Sequence, residues 1–322
     1  MKVVVTGSVA YDYLMTFPGQ FRDHILPDKL ESLSLSFLVE SMVRLRGGNA
    51  PNIAYTLAML GETPRLFATV GEDFEEYRLW LNSKGVDTTW AQVIPGVFTA
   101  SFFANTDRAN AQIASFYPGA MAYAAKLSLT HLVDDLPDLV VISPNDPAAM
   151  NQYVDECQQL GLPYIYDPSQ QIIRLDENAL RKGIEGALAL FVNEYEFALI
   201  QKLTSMDKAD ILDQVKFLVV TMGEQGAAIS NASEDFHIPV VPPLKIADPT
   251  GVGDAFRGGF IKAYGVGLDL ETCGKVGALA ATYCLENQGP QGHAYTPGDF
   301  IKRFRGHFED RGLLDALINI RT

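Results

Sequence analysis

A chain of 322 residues, 48% of them apolar, is long enough for one large α/β domain or a domain with an appendage, and it can fill a sizeable core. Its 39 acidic against 25 basic residues give a net charge of −14, which argues against nucleic acid or anionic membrane as partners; an anionic substrate would need local backbone amides and a divalent metal. No apolar run reaches the roughly 18 residues of a membrane span, and Met1 to Gly7 is too short and strand-like for a signal peptide, so the cytoplasm is the expected compartment. Cys157, Cys273 and Cys284 are odd in number and lack C-x-x-C spacing, which predicts reduced thiols and no zinc site.

Val3 to Thr6 reads as a buried strand ending at Gly7-Ser8. Gly7 stands alone, so this is not a dinucleotide-binding fingerprint. Asp12 follows, either capping a turn or accepting hydrogen bonds from a polyol. From Tyr13 to Arg46 the character changes, and the alternation Ser32-Leu33-Ser34-Leu35-Ser36-Phe37-Leu38 predicts a strand with one apolar face outside the main domain. Gly47-Gly48-Asn49-Ala50-Pro51-Asn52 opens a helix that stops at Gly61. Paired glycines there allow close approach of a small ligand, with Asn52 bonding a hydroxyl, or they form an ordinary loop and cap. Leu66 to Val70 is a strand, and Thr99 to Thr106 with Ala111 to Tyr117 reads as a hairpin around Asp107-Arg108-Ala109-Asn110. Its Phe102 and Phe116 are either core or the walls of a flat aromatic slot. With the 13 to 46 segment this hairpin would make a small sheet, a lid, whose exposure invites pairing with a second copy.

From Asp138 onward strands and helices alternate: strands at 139–142, 164–166, 187–192 and 216–221, helices near 148–160, 177–183 and 194–203. Such alternation predicts a doubly wound, mostly parallel sheet flanked by helices, with ligands at the carboxyl ends of its strands. The polar residues placed just after strands therefore carry weight: Asn145-Asp146, Asp167-Pro168-Ser169, and Asn193-Glu194-Tyr195-Glu196. Glu196 could hold water on Mg²⁺ or merely complement a helix dipole. Thr221, Gly223 and Gly226 lie in a tight turn that either approaches nucleotide phosphates or serves only as a hairpin.

Asp248-Pro249-Thr250-Gly251-Val252-Gly253-Asp254 opens a helix whose Phe256, Phe260 and Ala263 recur at i, i+4 and i+7. Glycines ahead of a helix leave several N–H groups without acceptors, and the dipole adds positive charge, so the turn is an anion hole. A carboxylate at the same spot would repel a resting phosphate. Asp254 makes sense there as a base that takes a proton from an attacking hydroxyl, against the alternative of a plain helix cap. Arg257, one turn on, either neutralises phosphate charge or pairs with a surface carboxylate.

These motifs together, Gly47-Gly48 with Asn52, Asn193-Glu194-Tyr195-Glu196, Val220 to Gly226, and Asp248 to Asp254, resemble the ribokinase-like (PfkB) family of sugar and nucleoside kinases over nearly the whole chain. Phe17 to Phe21, Ser34 to Val39 and Ala111 to Met121 are similar to one branch, the shorter bacterial adenosine kinases. The resemblance implies a large α/β domain at 1–12, 47–95 and 120–322, and a β lid at 13–46 and 96–119 that pairs with the lid of a second subunit. It implies transfer of the γ-phosphoryl of ATP to the 5′-hydroxyl of a nucleoside. Carried over residue by residue, Asp254 is the base, and Gly251, Val252 and Gly253 form the anion hole; Val252 stands where the family has Ala, which a backbone donor tolerates. Ser8, Asp12, Gly48 and Asn52 hold the ribose, Phe102 and Phe116 the purine, and Ser36 reaches in from the partner lid. Asn193 and Glu196 serve Mg²⁺ and phosphates, while Thr221, Gly223 and Gly226 line ATP. Asp248, Thr250 and the 286–292 loop are candidates for a monovalent cation such as K⁺. Adenosine is the first acceptor implied; inosine, guanosine, cytidine or a bare sugar are alternatives. A non-catalytic nucleoside sensor is a further reading, against which the intact Asp254 counts.

Overall fold

Val3–Thr6 (β1) is buried on both faces, as an unbroken apolar run requires when helices cover a parallel sheet on each side. The computed structural model describes residues 1–32 and 34–317. Its further strands are β2 (Ala10–Thr16), β3 (Ser41–Gly47), β4 (Arg65–Val70), β5 (Ala91–Val93), β6 (Ala100–Thr106) and β7 (Gln112–Tyr117). Beyond these come β8 (Leu139–Ile142), β9 (Tyr164–Tyr166), β10 (Ala189–Asn193), β11 (Phe217–Thr221), β12 (Ala227–Ser230) and β13 (Asp235–Ile238). The α-helices are α1 (Asn49–Met59), α2 (Glu75–Ser83), α3 (Pro147–Leu160), α4 (Glu177–Ile184), α5 (Glu194–Thr204), α6 (Lys208–Leu212), α7 (Val252–Gly265), α8 (Leu270–Leu285) and α9 (Pro297–Arg305).

Nine strands form one sheet in the order β13-β12-β11-β10-β9-β8-β1-β4-β5. Neighbours from β11 through β5 pair in parallel, and β12 and β13 turn back antiparallel at one edge. Strand direction of travel reverses at β1: the chain lays β4 and β5 on one side of it and β8 to β11 on the other. A crevice follows at the carboxyl ends of β1 and β8, the usual place for a ligand in such sheets, and Ser8 lies there. Side chains alternate between layers: Val3 and Val5 join the core under α1, α2, α7, α8 and α9, and Val4 joins the one under α3, α4, α5 and α6. The doubly wound α/β architecture is as predicted.

Helix α7 sits deep because it is glycine-rich on its packed faces. A Cβ at Gly258 would lie 2.7 Å from the Thr56 Cβ of α1, and one at Gly259 would lie 2.8 Å from the Ala280 Cβ of α8. Only hydrogen fits at such distances, so α1, α7 and α8 close into one rigid block behind the crevice.

A separate four-stranded sheet, β3-β2-β6-β7, rises from the large one. Asp12 is in the middle of β2, paired on both sides, rather than in a turn after β1. The strand expected over residues 32–38 is displaced: β3 spans 41–47 and takes the whole edge of β2, while residues 34–39 are irregular and Phe37 packs against Phe17, Phe21 and His24. Alternation makes a strand only where an edge is free to pair. Leu33 lies outside the described residues. The hairpin holds as β6 and β7, in a register that sets Phe102 opposite Phe116. Leu45, Asp12, Phe102 and Phe116 consequently form one row across one face of this sheet.

Candidate active site

Gly251 caps α7 with φ +78°, a left-handed conformation, and a Cβ there would collide with Pro290. Of the leading amides, that of Val252 makes only a 3.4 Å contact to the Pro249 carbonyl, and that of Ala255 closes the first turn on Gly251 at 2.9 Å. The amides of Gly253 and Asp254 have no acceptor among the described residues. These are donors for an anion at the positive end of a fourteen-residue helix.

Asp254 is buried, and both carboxylate oxygens are held from the first turn of α1: the Asn49 Nδ2 donates to Oδ1 at 3.0 Å and the Asn52 Nδ2 to Oδ2 at 2.9 Å. Burial raises its pKa above the ordinary carboxyl value, while the Arg257 charge and the two amides pull it back. The outcome is a desolvated carboxylate that remains able to take a proton. Gly48 permits this approach of α1: its φ is +95°, and a Cβ there would collide with the Ser8 carbonyl. Ser8 is buried, its Oγ within 3.3 Å of the Asn49 amide nitrogen and of Asn49 Oδ1.

Arg257 is buried and pairs with a buried partner rather than a surface one. Its Nη2 donates to Asp167 Oδ1 at 2.7 Å and its Nε lies 2.5 Å from Oδ2. Asp167 follows β9 directly, and burial raises its carboxyl against the pull of the guanidinium. The side chain of Arg257 turns back over the first turn of its helix, so that a Cβ on Gly253 would lie 2.8 Å from Nη1. One cation thus faces Asp167, Asp254 and Glu196 at the mouth of the anion hole.

Asn193 and Glu196 form a reciprocal capping box at the start of α5, each side chain bonding the other's backbone N–H at 2.8 Å, and Glu196 Oε1 accepts from Ser169 Oγ at 3.0 Å. Thr221 lies beside Asn193 in register, and Gly223 and Gly226 follow in the next turn. Among the described residues no three His, Cys, Asp or Glu side chains converge on a metal position. A divalent ion would therefore be held by phosphate oxygens and water, and each Glu196 oxygen keeps a lone pair for such a water.

Asp248 ties two loops together: Oδ1 accepts from the Thr250 N–H at 2.9 Å, Oδ2 from the Gly289 N–H and the Gln288 Nε2, both at 3.0 Å. Asp12 is raised to about 6, chiefly by burial and then by the charge of Asp248. It projects from the same sheet face as Phe102 and Phe116, next to the crevice where Ser8 and Gly48 lie. Ser36 stands apart, exposed on the irregular segment before β3. The three cysteines are free and buried, and burial pushes the Cys284 thiol up to about 12.

Asn49 and Gln291 are site residues that the sequence reading did not single out; Asp167 was marked as a polar residue after a strand, but not as the partner of Arg257. Asn49 had a signal, since its i,i+3 spacing from Asn52 puts both on one face of α1. Gln291 had none: it reaches Asn52 only through the tertiary fold.

The chain matches a family model described as pfkB family carbohydrate kinase over residues 3–296. It is similar to the nucleoside kinase of Burkholderia thailandensis, whose structure in complex with inosine aligns at a TM-score of 0.84 with 36% identity, covering 95% of this chain and 98% of that one. A nucleoside kinase of Methanothermobacter thermautotrophicus is 30% identical over 94% of this chain and 95% of its own length. The nucleoside kinase of Methanocaldococcus jannaschii aligns at a TM-score of 0.86 with 28% identity, over 95% of this chain and 99% of that one.

Proposed function

The chain belongs to the pfkB family of carbohydrate kinases, phosphotransferases with an alcohol group as acceptor, and on that premise we propose that it is an ATP-dependent nucleoside kinase acting on the ribose 5′-hydroxyl, with adenosine as its first acceptor. The observation that carries this reading is Asp254: a buried carboxylate at the third position of α7, held through both oxygens and set beside two amides that lack acceptors among the described residues. Asp254 takes the proton of the 5′-hydroxyl as its oxygen bonds the γ-phosphorus, and the bond to the ADP oxygen breaks. The amides of Gly251, Val252 and Gly253 and the guanidinium of Arg257 absorb the charge of the transferring group. Asn193, Glu196, Thr221, Gly223 and Gly226 line ATP; Mg²⁺, when bound, would neutralise β- and γ-phosphate charge.

Ser8, Asp12, Gly48 and Asn52 hold the ribose in this reading. Phe102 and Phe116, side by side on the face that carries Asp12, offer ring surface to a base. A bare sugar would leave that surface wet. Ser36 would contribute from the lid of the partner subunit in a homodimer. Asp248, Thr250 and the 286–292 loop are proposed to hold K⁺, and faster turnover in potassium than in a large organic cation is the expected sign. Inosine is a second acceptor to consider, because the B. thailandensis nucleoside kinase structure contains it.

ADP release from Mg·ATP with adenosine, inosine, guanosine, cytidine, ribose and fructose offered singly tests the proposal. A nucleoside leading ribose by a wide kcat/KM margin is expected, with adenosine first. A different purine in the lead corrects the acceptor, and ribose in the lead removes the aromatic-slot argument.

A further inference from the structure

An asparagine amide has a donor at one end and an acceptor at the other, and half a turn exchanges them with almost no change in shape. For Asn52 the wrong orientation would set Oδ1 against Oδ2 of Asp254, where Nδ2 now donates at 2.9 Å. Asn52 is buried, so water cannot relieve the mistake. An ionised Asp254 can only accept and so selects this orientation, but the selection weakens once the base takes its proton, and a partner behind Asn52 then has to hold it.

Gln291 lies behind it. Its Nε2 donates to Asn52 Oδ1 at 2.9 Å and also to the Tyr77 hydroxyl, while its Oε1 accepts from the Trp80 Nε1 at 3.1 Å. Tyr77 directs its own hydrogen to the Gly47 carbonyl at 3.0 Å, which leaves its oxygen free to accept. The polarity is set at both ends, because an ionised Asp254 can only accept and an indole N–H can only donate. Trp80 turns the acceptor end of Gln291 toward itself and the donor end toward Asn52. Asn52 must then accept from Gln291 and donate to Asp254. The Arg46 guanidinium rests 4.8 Å over the Trp80 ring and Lys84 4.3 Å from it, so the indole is held in place.

We propose that Gln291 is a positioning residue for phosphoryl transfer: anchored by Trp80, it holds the Asn52 amide so that its NH₂ group faces the Asp254 carboxylate. This rests on the reading of Asp254 as the base. Arg257 on its own helix, and Glu196, Asp167 and Cys284 from neighbouring elements, also face Asp254. They stay unchanged in every variant below, so a difference between variants reports the amide.

Wild type, Q291M, N52A and Q291M/N52A are compared by nucleoside turnover against pH and by infrared titration of the Asp254 carboxyl, each background minus its own D254N. Q291M keeps the volume and removes both polar ends. We expect it to lower kcat/KM about tenfold or more and to move the acid limb of the profile and the carboxyl band to higher pH. In the N52A background Q291M should add little, a non-additivity that shows the effect running through Asn52. If Q291M fails to fold, W80F carries the test, since it removes the donor that polarises Gln291 and leaves residue 291 intact; the same direction of shift is expected. A wild-type pH profile and carboxyl band in the folded variants, or an equal loss with and without Asn52, would overturn the proposal. Should wild type phosphorylate no nucleoside, the functional reading fails by itself, and the infrared titration alone then decides for or against the relay.

Discussion

Asp12 and Arg257 show how buried charge at single residues sets stability, in opposite directions. Asp12 is raised to about 6 by burial and by the charge of Asp248, so the fold prefers it protonated. Its stabilising contribution is complete below its unfolded value of about 4 and is lost as pH rises through 6. Asp12→Asn should therefore raise the melting temperature above pH 6, with a gain that vanishes near about pH 4, and should raise the KM for the nucleoside; thermal denaturation at several pH values and steady-state kinetics check the two halves. Arg257→Ala removes the cation from a buried carboxylate. It should cost about 3–5 kcal/mol at alkaline pH and less in acid, where Asp167 can take a proton, and should raise the KM for ATP. Adding Asp167→Asn should restore stability without restoring the KM. An unchanged KM for ATP in Arg257→Ala would remove its phosphate role. The Asp254 turn was legible because it is local, a run of Gly and Asp just before an amphipathic helix. The pairing of Arg257 with Asp167 was not, because 90 positions separate them and only the tertiary fold brings the residue after β9 against the first turns of α7.

At the scale of elements, the central parallel strands were legible for a physical reason: burial on both faces leaves continuous apolar runs such as Leu139–Ile142, where start and end are plain. Helix α1 announced itself by Pro51 in its first turn and Gly61 just past its end, whereas the Asn193–Glu196 capping box of α5 emerged only with the structure. The small sheet was harder. In β2 the residues Tyr11, Asp12, Tyr13 and Leu14 put an acid between aromatics, because one face meets the crevice and the other packs on α2 through Tyr11 and Tyr77. Alternation around Ser36 read as a strand, but pairing is a property of the edge available, and β3 took it. β5 and β13, three and four residues long, lacked any signal distinct from a loop.

For the whole molecule, the small sheet ends in β7, whose residues are all exposed, and it presents Val43 and Phe116, each 50% exposed, on the face that carries Asp12. An open edge and an apolar face of this kind fit a second copy of the same sheet. Light scattering should find a dimer. Val43→Lys should shift it toward monomer and raise the nucleoside KM in step, because the partner subunit's Ser36 would be withdrawn from the site. A monomeric variant with an unchanged KM would contradict that contribution. With a net charge of −14, the chain would accommodate an anionic nucleotide only where the charge is handled locally, which is the role proposed for the α7 amides and Arg257.

The central claim is that Asp254 performs proton chemistry at an anion hole rather than capping a helix. Nucleoside binding by calorimetry and phosphoryl transfer, measured together on Asp254→Asn and wild type, test it most directly. The side chains are the same size, so the pocket survives. Binding within a few-fold of wild type with turnover lower by about three orders of magnitude or more is the predicted result. Turnover retained alongside binding would contradict the account.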